Sequence, residues 1–126
     1  MQLRLSQETK LTQRDFQVFQ AEAKRWIKIF GLVDWEITFE FSDTFPDNRA
    51  TCATSDVGAR SAYLILTQTW DYKPKHAELR RCAFHEVCEL LFVQLRAAVR
   101  VRGVDEDLVD QEVHRMIRIF ENVWWR

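Results

Sequence analysis

The sequence has few of the residues that interrupt regular structure. Of its 126 residues, only three are glycine and two are proline. Few tight turns can form, which argues against a sandwich of many short strands and favours long helices and strands. The sequence also lacks a run of about 18 uncharged apolar residues, so we expect no transmembrane helix.

The chain has no excess of charge of either sign. Eighteen basic residues stand against nineteen acidic ones, which gives a net charge of -1. No positive field would gather DNA or RNA, so we expect no nucleic-acid partner. With 47% hydrophobic residues, we expect residues 1–126 to form a single folded domain.

Cysteine is scarce as well, and its count of three is odd. The segment from Met1 to Lys10 is polar and does not resemble a secretory leader. A disulfide scaffold is therefore not expected, and we interpret Cys52, Cys82 and Cys88 as buried structural thiols in a cytoplasmic protein.

Hydrophobic periodicity gives the order of the elements. The predicted elements are a helix over 12–30, strands over 35–42, 50–54 and 61–69, and helices over 75–101 and 105–124. The last two strands are separated by a short Gly-bearing turn and should form a hairpin. Helix, three strands and two helices together predict an α+β domain.

The helix over 75–101 contains an anomaly. Apolar residues occur nearly all around it, yet His85, Glu86 and Glu89 stand in its middle. At 100° per residue these three side chains share one face. Buried neighbouring carboxylates are costly without a partner, so a divalent metal, an arginine or a water-filled cleft should lie against this face.

The spacing suits a metal site. His85 and Glu89 stand at positions i and i+4, as the two histidines do in the H-E-x-x-H zinc helix, and Glu86 occupies the position of its general base. A third ligand must come from the last helix, which offers His114 and Glu112 some 200° apart. His114 would complete a zinc set of two histidines and one glutamate, whereas Glu112 would give an oxygen-rich set with less preference for zinc. We favour His114.

A resemblance to a known family becomes visible at this point. With Trp35-Glu36-Ile37, Tyr63-Leu64-Ile65-Leu66 and the final Glu112-x-His114-Arg115-x-Ile117, the His-Glu helix resembles the small zincin-like metallopeptidases of phages and prophages. Their layout is similar to the minimal gluzincin and SprT-like folds. The sequence departs from the family motif at Glu89, where the usual residue is histidine.

The resemblance implies a zincin-like fold, in which a short twisted sheet packs on a central active-site helix. It implies Zn²⁺ held by His85, Glu89 and His114, with Glu86 as the base. The expected activity is hydrolysis of a peptide bond by metal-activated water, in the host cytoplasm if the protein is phage-encoded. The strand Ser61–Thr67 would be the edge strand that aligns an extended peptide substrate.

Several alternatives remain open from the residues. His85 and Glu89 could form a purely structural i,i+4 pair, and the metal could be a divalent ion other than zinc. The protein could also be a catalytically inactive binding module that docks a protein partner through Trp124–Trp125 or a strand edge. We interpret Arg96, Arg100 and Arg102 as a solvated helix end. The sequence leaves the oligomeric state undetermined.

Overall fold

The computed structural model describes residues 8–56, 58–102 and 105–124 of the chain. Within these ranges the elements are β1 (Thr9–Lys10), α1 (Gln13–Ile29), β2 (Glu36–Phe41), β3 (Ala50–Asp56), β4 (Ser61–Leu66), β5 (Thr69–Trp70), α2 (His76–Leu91), α3 (Val93–Val101) and α4 (Glu106–Trp124). Four helices and a small mixed sheet confirm the predicted α+β class. Trp125, part of the alternative docking surface Trp124–Trp125, lies outside the described residues.

The main sheet has the strand order β2-β4-β3. β3 and β4 are antiparallel, which confirms the predicted hairpin, and β2 runs parallel to β4 on its other side. The expectation that Ser61–Thr67 forms the sheet edge is therefore wrong, because β4 is the central strand. Its burial gives the physical reason: Ala62, Leu64 and Leu66 are at most 1% exposed, and a strand so apolar is stable only between two neighbours. The edges are β2 and β3.

The predicted strand over 61–69 is also interrupted. β4 ends at Leu66, and Thr69–Trp70 instead pairs with Thr9–Lys10 in a separate two-stranded ribbon. The carboxylate of Asp43 accepts hydrogen bonds from the backbone N–H of Thr69 at 2.9 Å and from its hydroxyl at 2.8 Å. These bonds redirect the chain after β4, and residue periodicity alone could not reveal them.

The single long helix predicted over 75–101 is two helices. α2 ends at Leu91 and α3 begins at Val93, with Phe92 between them at φ -98° and ψ 3°. The expectation was wrong because this stretch contains no glycine or proline that would indicate a break. The Phe92 ring stacks on Phe120 of α4 at 6.2 Å, so a tertiary contact accompanies the break. Gly103, at which the sequence predicts the end of this long helix, lies outside the described residues.

α1 forms where the sequence predicts it and packs against α2. Thr12 caps α1, with the reciprocal Thr12–Asp15 hydrogen bonds of a capping box. Trp26 of α1 meets Phe84 of α2 edge to face at 4.7 Å. The fully buried core residues include Phe19, Ala23, Leu64, Leu66, Leu79, Ala83, Phe84, Val87 and Ile117.

α2 is therefore apolar on the side that packs against α1 and polar on the opposite side. Leu79, Ala83 and Val87 are fully buried, whereas His85 and Glu89 lie roughly half a turn away around the helix. The polar side meets β3 and α4. No helix in the described part of the chain combines the length and the apolar character needed to cross a membrane.

Candidate metal centre

The structure brings together three of the residues that the sequence suggests as metal ligands. His85 and Glu89 lie on α2 and His114 on α4, and one possible ligand atom from each lies within 4.8 Å of the others. His85 Nε2 is 3.2 Å from Glu89 Oε2, and His114 Nε2 is 2.8 Å from the same oxygen. All three residues are half-buried. The cluster could hold a metal ion.

The other ring nitrogens of both histidines also face oxygen acceptors. His85 Nδ1 is 3.4 Å from Oε2 of Glu121, and His114 Nδ1 is 3.0 Å from the carbonyl oxygen of Asp110. A neutral imidazole carries only one N–H. Each ring must therefore either carry a second proton or have a cation bound between its Nε2 and the Glu89 carboxylate. Metal-ligating histidines are typically held in this way, with the second nitrogen bonded to a carboxylate or a backbone carbonyl.

The surroundings of His85 and Glu89 on α2 favour the ionised form of each side chain. Hydrogen bonds to Glu121 and Glu89 raise the pKa of His85 to about 10. Burial alone would raise the pKa of Glu89, but the hydrogen bond from His85 and the charges of Arg96 and His114 outweigh it and lower the pKa. The imidazolium of His85 thus sits between two carboxylates, in the position that a bound cation would share.

Arg96 belongs to this cluster, and the expectation that it forms part of a solvated helix end is wrong. Its Nη1 donates to Glu89 Oε1 at 2.6 Å, and its Nη2 lies 3.0 Å from Oδ1 of Asp110. The Arg96 side chain is only 24% exposed. Arg96 stands seven residues after Glu89, which places the two side chains on the same side, about two turns apart, and the long arginine side chain spans the distance.

Glu86 lies beside the cluster in a more buried setting. Only 9% of the residue is exposed, and burial raises the pKa of its carboxyl to about 7. The charge of His85 opposes this rise, and so does a hydrogen bond with the backbone of Cys52 on β3. Glu86 also lines a cavity of about 590 Å³ together with His85 and Glu121. A carboxyl with a pKa near neutrality can both accept and return a proton.

The edge strand β3 runs along this side of α2. The N–H of Thr67 donates to the carbonyl of Arg49 at 3.0 Å, which marks a hydrogen-bonded pair at the start of the β3–β4 ladder. Because bonded and non-bonded pairs alternate in an antiparallel ladder, the backbone groups of Ala50, Cys52 and Thr54 point away from β4. The hydrogen bond between Cys52 and Glu86 agrees with this register.

The remaining candidates lie apart from the cluster. Glu112, the alternative third ligand, has a side chain 57% exposed and pairs with Arg115 at 3.5 Å. Cys88 is buried, while Cys52 and Cys82 are half-buried. Burial raises the pKa of all three thiols to about 12, which keeps them protonated near neutral pH and unsuited to nucleophilic chemistry.

Three residues that complete the site were not predicted from the sequence: Asp110, Glu121 and Arg96. Glu121 stands seven residues after His114, which places both on one face of α4 two turns apart, and this spacing could have identified it. Asp110 stands one turn before His114 and contributes a backbone carbonyl, which carries no side-chain signal. Arg96 stands seven residues after Glu89, so the same spacing could have identified it as well.

Comparison with known proteins finds no match to this chain among family models, curated proteins or solved structures. The assignment of a function therefore depends on the geometry of the site.

Proposed function

We propose that His85, Glu89 and His114 bind zinc and that the protein is a zincin-like metallopeptidase. The observation that carries this proposal is the convergence of two Nε2 atoms on one carboxylate oxygen, at 3.2 and 2.8 Å, while both Nδ1 atoms are held by other acceptors. A structural His85–Glu89 pair alone would need neither His114 nor these additional acceptors.

The residues fit zinc in number, type and spacing. Two histidines, one glutamate and an open fourth position form a common catalytic zinc set. With ligands about 2.0–2.1 Å from the ion, tetrahedral geometry places ligand atoms about 3.3 Å apart. The separations of 3.2 and 2.8 Å require only a small outward movement of the side chains. When bound, zinc supplies Lewis acidity, which polarises a peptide carbonyl and activates water near neutral pH.

The proton transfers of hydrolysis fall to Glu86. Its pKa of about 7 allows it to accept a proton from the attacking water and then deliver it to the departing amine. The backbone hydrogen bond from Cys52 holds the carboxylate in place. Glu121 orients the His85 ring through Nδ1, which keeps Nε2 directed at the centre of the site.

The peptide substrate is aligned by β3, which replaces β4 in the role first expected of Ser61–Thr67. The outward carbonyl groups of Ala50, Cys52 and Thr54 and the outward N–H groups of Ala50 and Thr54 offer acceptors and donors to an extended chain, as in strand addition, while the N–H of Cys52 is bound to Glu86. Ala50 borders the cavity of about 590 Å³ beside Glu86, and Cys52 and Thr54 border a second cavity of about 320 Å³ beside Glu89. A peptide along β3 therefore passes both glutamates.

The test combines metal content and peptidase activity. The unmodified chain, purified without chelator and then exposed to zinc, should carry about one zinc per chain by mass spectrometry. His85→Ala should lose the metal, whereas Glu86→Gln should keep it and lose about 10²–10⁴-fold in the hydrolysis of unfolded protein substrates. His76→Ala is the matched control, because His76 lies at the start of α2 beside Asp15 and outside the cluster.

Two results would count against the proposal. An unmodified chain that takes up no zinc would reject the metal site. Zinc bound without peptidase activity, in a chain whose Glu86→Gln variant behaves identically, would favour a non-catalytic binding protein.

A further inference from the structure

Arg96 holds one oxygen of the ligand carboxylate and leaves the other oxygen to the metal position. Its Nη1 donates to Glu89 Oε1 at 2.6 Å, while both histidine Nε2 atoms face Glu89 Oε2. Building on the proposed zinc site, we propose that Arg96 is a positioning residue that makes the site select zinc over larger divalent ions by restricting Glu89 to one coordinating oxygen.

A carboxylate can bind a metal ion through one oxygen or through both. A glutamate that coordinates through both oxygens suits ions that take six or more ligands, such as calcium. A tetrahedral zinc site takes one oxygen from each carboxylate. Because the Arg96 guanidinium already occupies Oε1, rotation of Glu89 to present both oxygens would break a short charge-assisted hydrogen bond. Higher coordination numbers are disfavoured for that reason.

Arg96 also connects the two ligand-bearing helices. Its Nη2 lies 3.0 Å from Oδ1 of Asp110, and the Asp110 carbonyl accepts from Nδ1 of His114. Nε and Nη2 of Arg96 are shielded from solvent and make no hydrogen bond among the described residues, so the guanidinium is held by its hydrogen bond to Glu89 and by the charge of Asp110. One side chain on α3 thus contacts a ligand on α2 and the residue that orients the ligand on α4.

The experiment measures the ratio of the dissociation constants for Zn²⁺ and Mn²⁺, by competition with a chromogenic chelator. Both ions carry the same charge, so removal of the positive charge of Arg96 shifts both constants alike and cancels in the ratio. Arg96→Met should reduce the preference for zinc by at least about tenfold, as expected for a residue that supports a metal ligand. Arg96→Lys keeps a charge and a donor and should retain most of the preference.

Arg100→Met is the matched control, because Arg100 lies one turn further along α3 and bridges to Glu106 of α4 at 2.7 Å. Its zinc-to-manganese ratio should equal that of the unmodified chain. Circular dichroism confirms that each variant is folded before titration. An unchanged ratio in folded Arg96→Met would overturn the role of Arg96 while leaving the zinc site intact.

The Co²⁺-loaded unmodified chain gives a second test that needs no variant. We expect the intense visible absorption of a four-coordinate site, and the weak absorption of a six-coordinate site would overturn the proposal. An unmodified chain that binds neither Zn²⁺ nor Co²⁺ would reject the proposed function itself, and with it the role of Arg96. The two failures are thereby distinguishable.

Discussion

Two carboxylates with little exposure, Asp15 and Glu89, have opposite kinds of neighbours. The side chain of Asp15 is 2% exposed. It accepts the backbone N–H of Thr12 at 2.8 Å and the ammonium of Lys73. Both neighbours donate hydrogen bonds to the Asp15 carboxylate, so its negative charge is satisfied within the chain.

Glu89 is surrounded by groups that are themselves bound to other acceptors. Its side chain is 12% exposed and faces His85 and His114, whose remaining nitrogens are already held. Asp15 thus stabilises the fold through matched donors, whereas Glu89 faces two histidines together with which it could hold a metal ion. Burial of a carboxylate does not by itself indicate a functional site. A functional site is indicated by the balance of hydrogen-bond donors and acceptors around the carboxylate.

The largest expected effect is stabilisation by zinc at the Glu89 cluster. Zinc at a free concentration 100 times its dissociation constant should raise the free energy of unfolding by about 2.7 kcal/mol, because it binds only the folded chain. His114→Ala should abolish this gain. His76→Ala should preserve it, since His76 lies 3.6 Å from Asp15 instead. Urea unfolding with and without zinc measures all three, and an equal gain in His114→Ala would contradict the site.

The next effect concerns Asp15, where the charge is structural. The charge of Asp15 holds Lys73 and also strengthens the capping box of α1. Asp15→Asn removes that charge. We expect a loss of about 2 kcal/mol in the free energy of unfolding, the scale of a hydrogen bond to a charged group. Urea midpoints give the loss, and zinc content should not change. A variant as stable as the unmodified chain, or one that loses zinc, would contradict the distinction between the two carboxylates.

The stability difference between the unmodified chain and Asp15→Asn should also depend on pH. Burial alone would raise the pKa of Asp15, but the hydrogen bonds from Lys73 and Thr12 outweigh it and lower the pKa below its usual value. The charge therefore stabilises the fold at pH values above about 3.9, the unfolded pKa. That contribution is lost as the pH falls through the lower folded pKa. The stability gap between the unmodified chain and Asp15→Asn should narrow between about pH 5 and about pH 2, and a constant gap would reject this explanation.

The elements with regular periodicity were predictable from the sequence. The apolar residues of α1 recur at helical spacing between the Thr12 cap and Gly31, and local sequence alone sets both ends. His85 and Glu89 were identifiable because an i,i+4 pair of ligand types interrupts an otherwise apolar helix. Local patterns therefore gave the α+β class, the hairpin and the three clustered ligand candidates.

The features that were not predictable depend on contacts distant in the sequence. Nothing near Phe92 breaks a helix, and its ring stacks on Phe120, 28 residues later. The central position of β4 depends on its parallel pairing with β2, which the hairpin pattern does not reveal. The enclosure of the Arg96 guanidinium depends on Asp110 of α4, which lies 3.0 Å from its Nη2. Each of these features belongs to tertiary packing, which overrides local preference.

We expect the smallest change in the free energy of unfolding at Arg100, which lies on α3 one turn after Arg96. Arg100 pairs with Glu106 at 2.7 Å, close to the 2.6 Å between Arg96 and Glu89, but its side chain is 66% exposed and that of Glu106 is 58% exposed. Water screens such a pair, and holding two long side chains costs entropy, so exposed pairs contribute about 0–1 kcal/mol. Arg100→Met should change the free energy of unfolding by less than about 0.5 kcal/mol, measured by urea unfolding. If Arg100→Met and Arg96→Met lower the free energy of unfolding equally, then Arg96 stabilises the fold by bridging α3 to α4 and not by its enclosure beside Glu89.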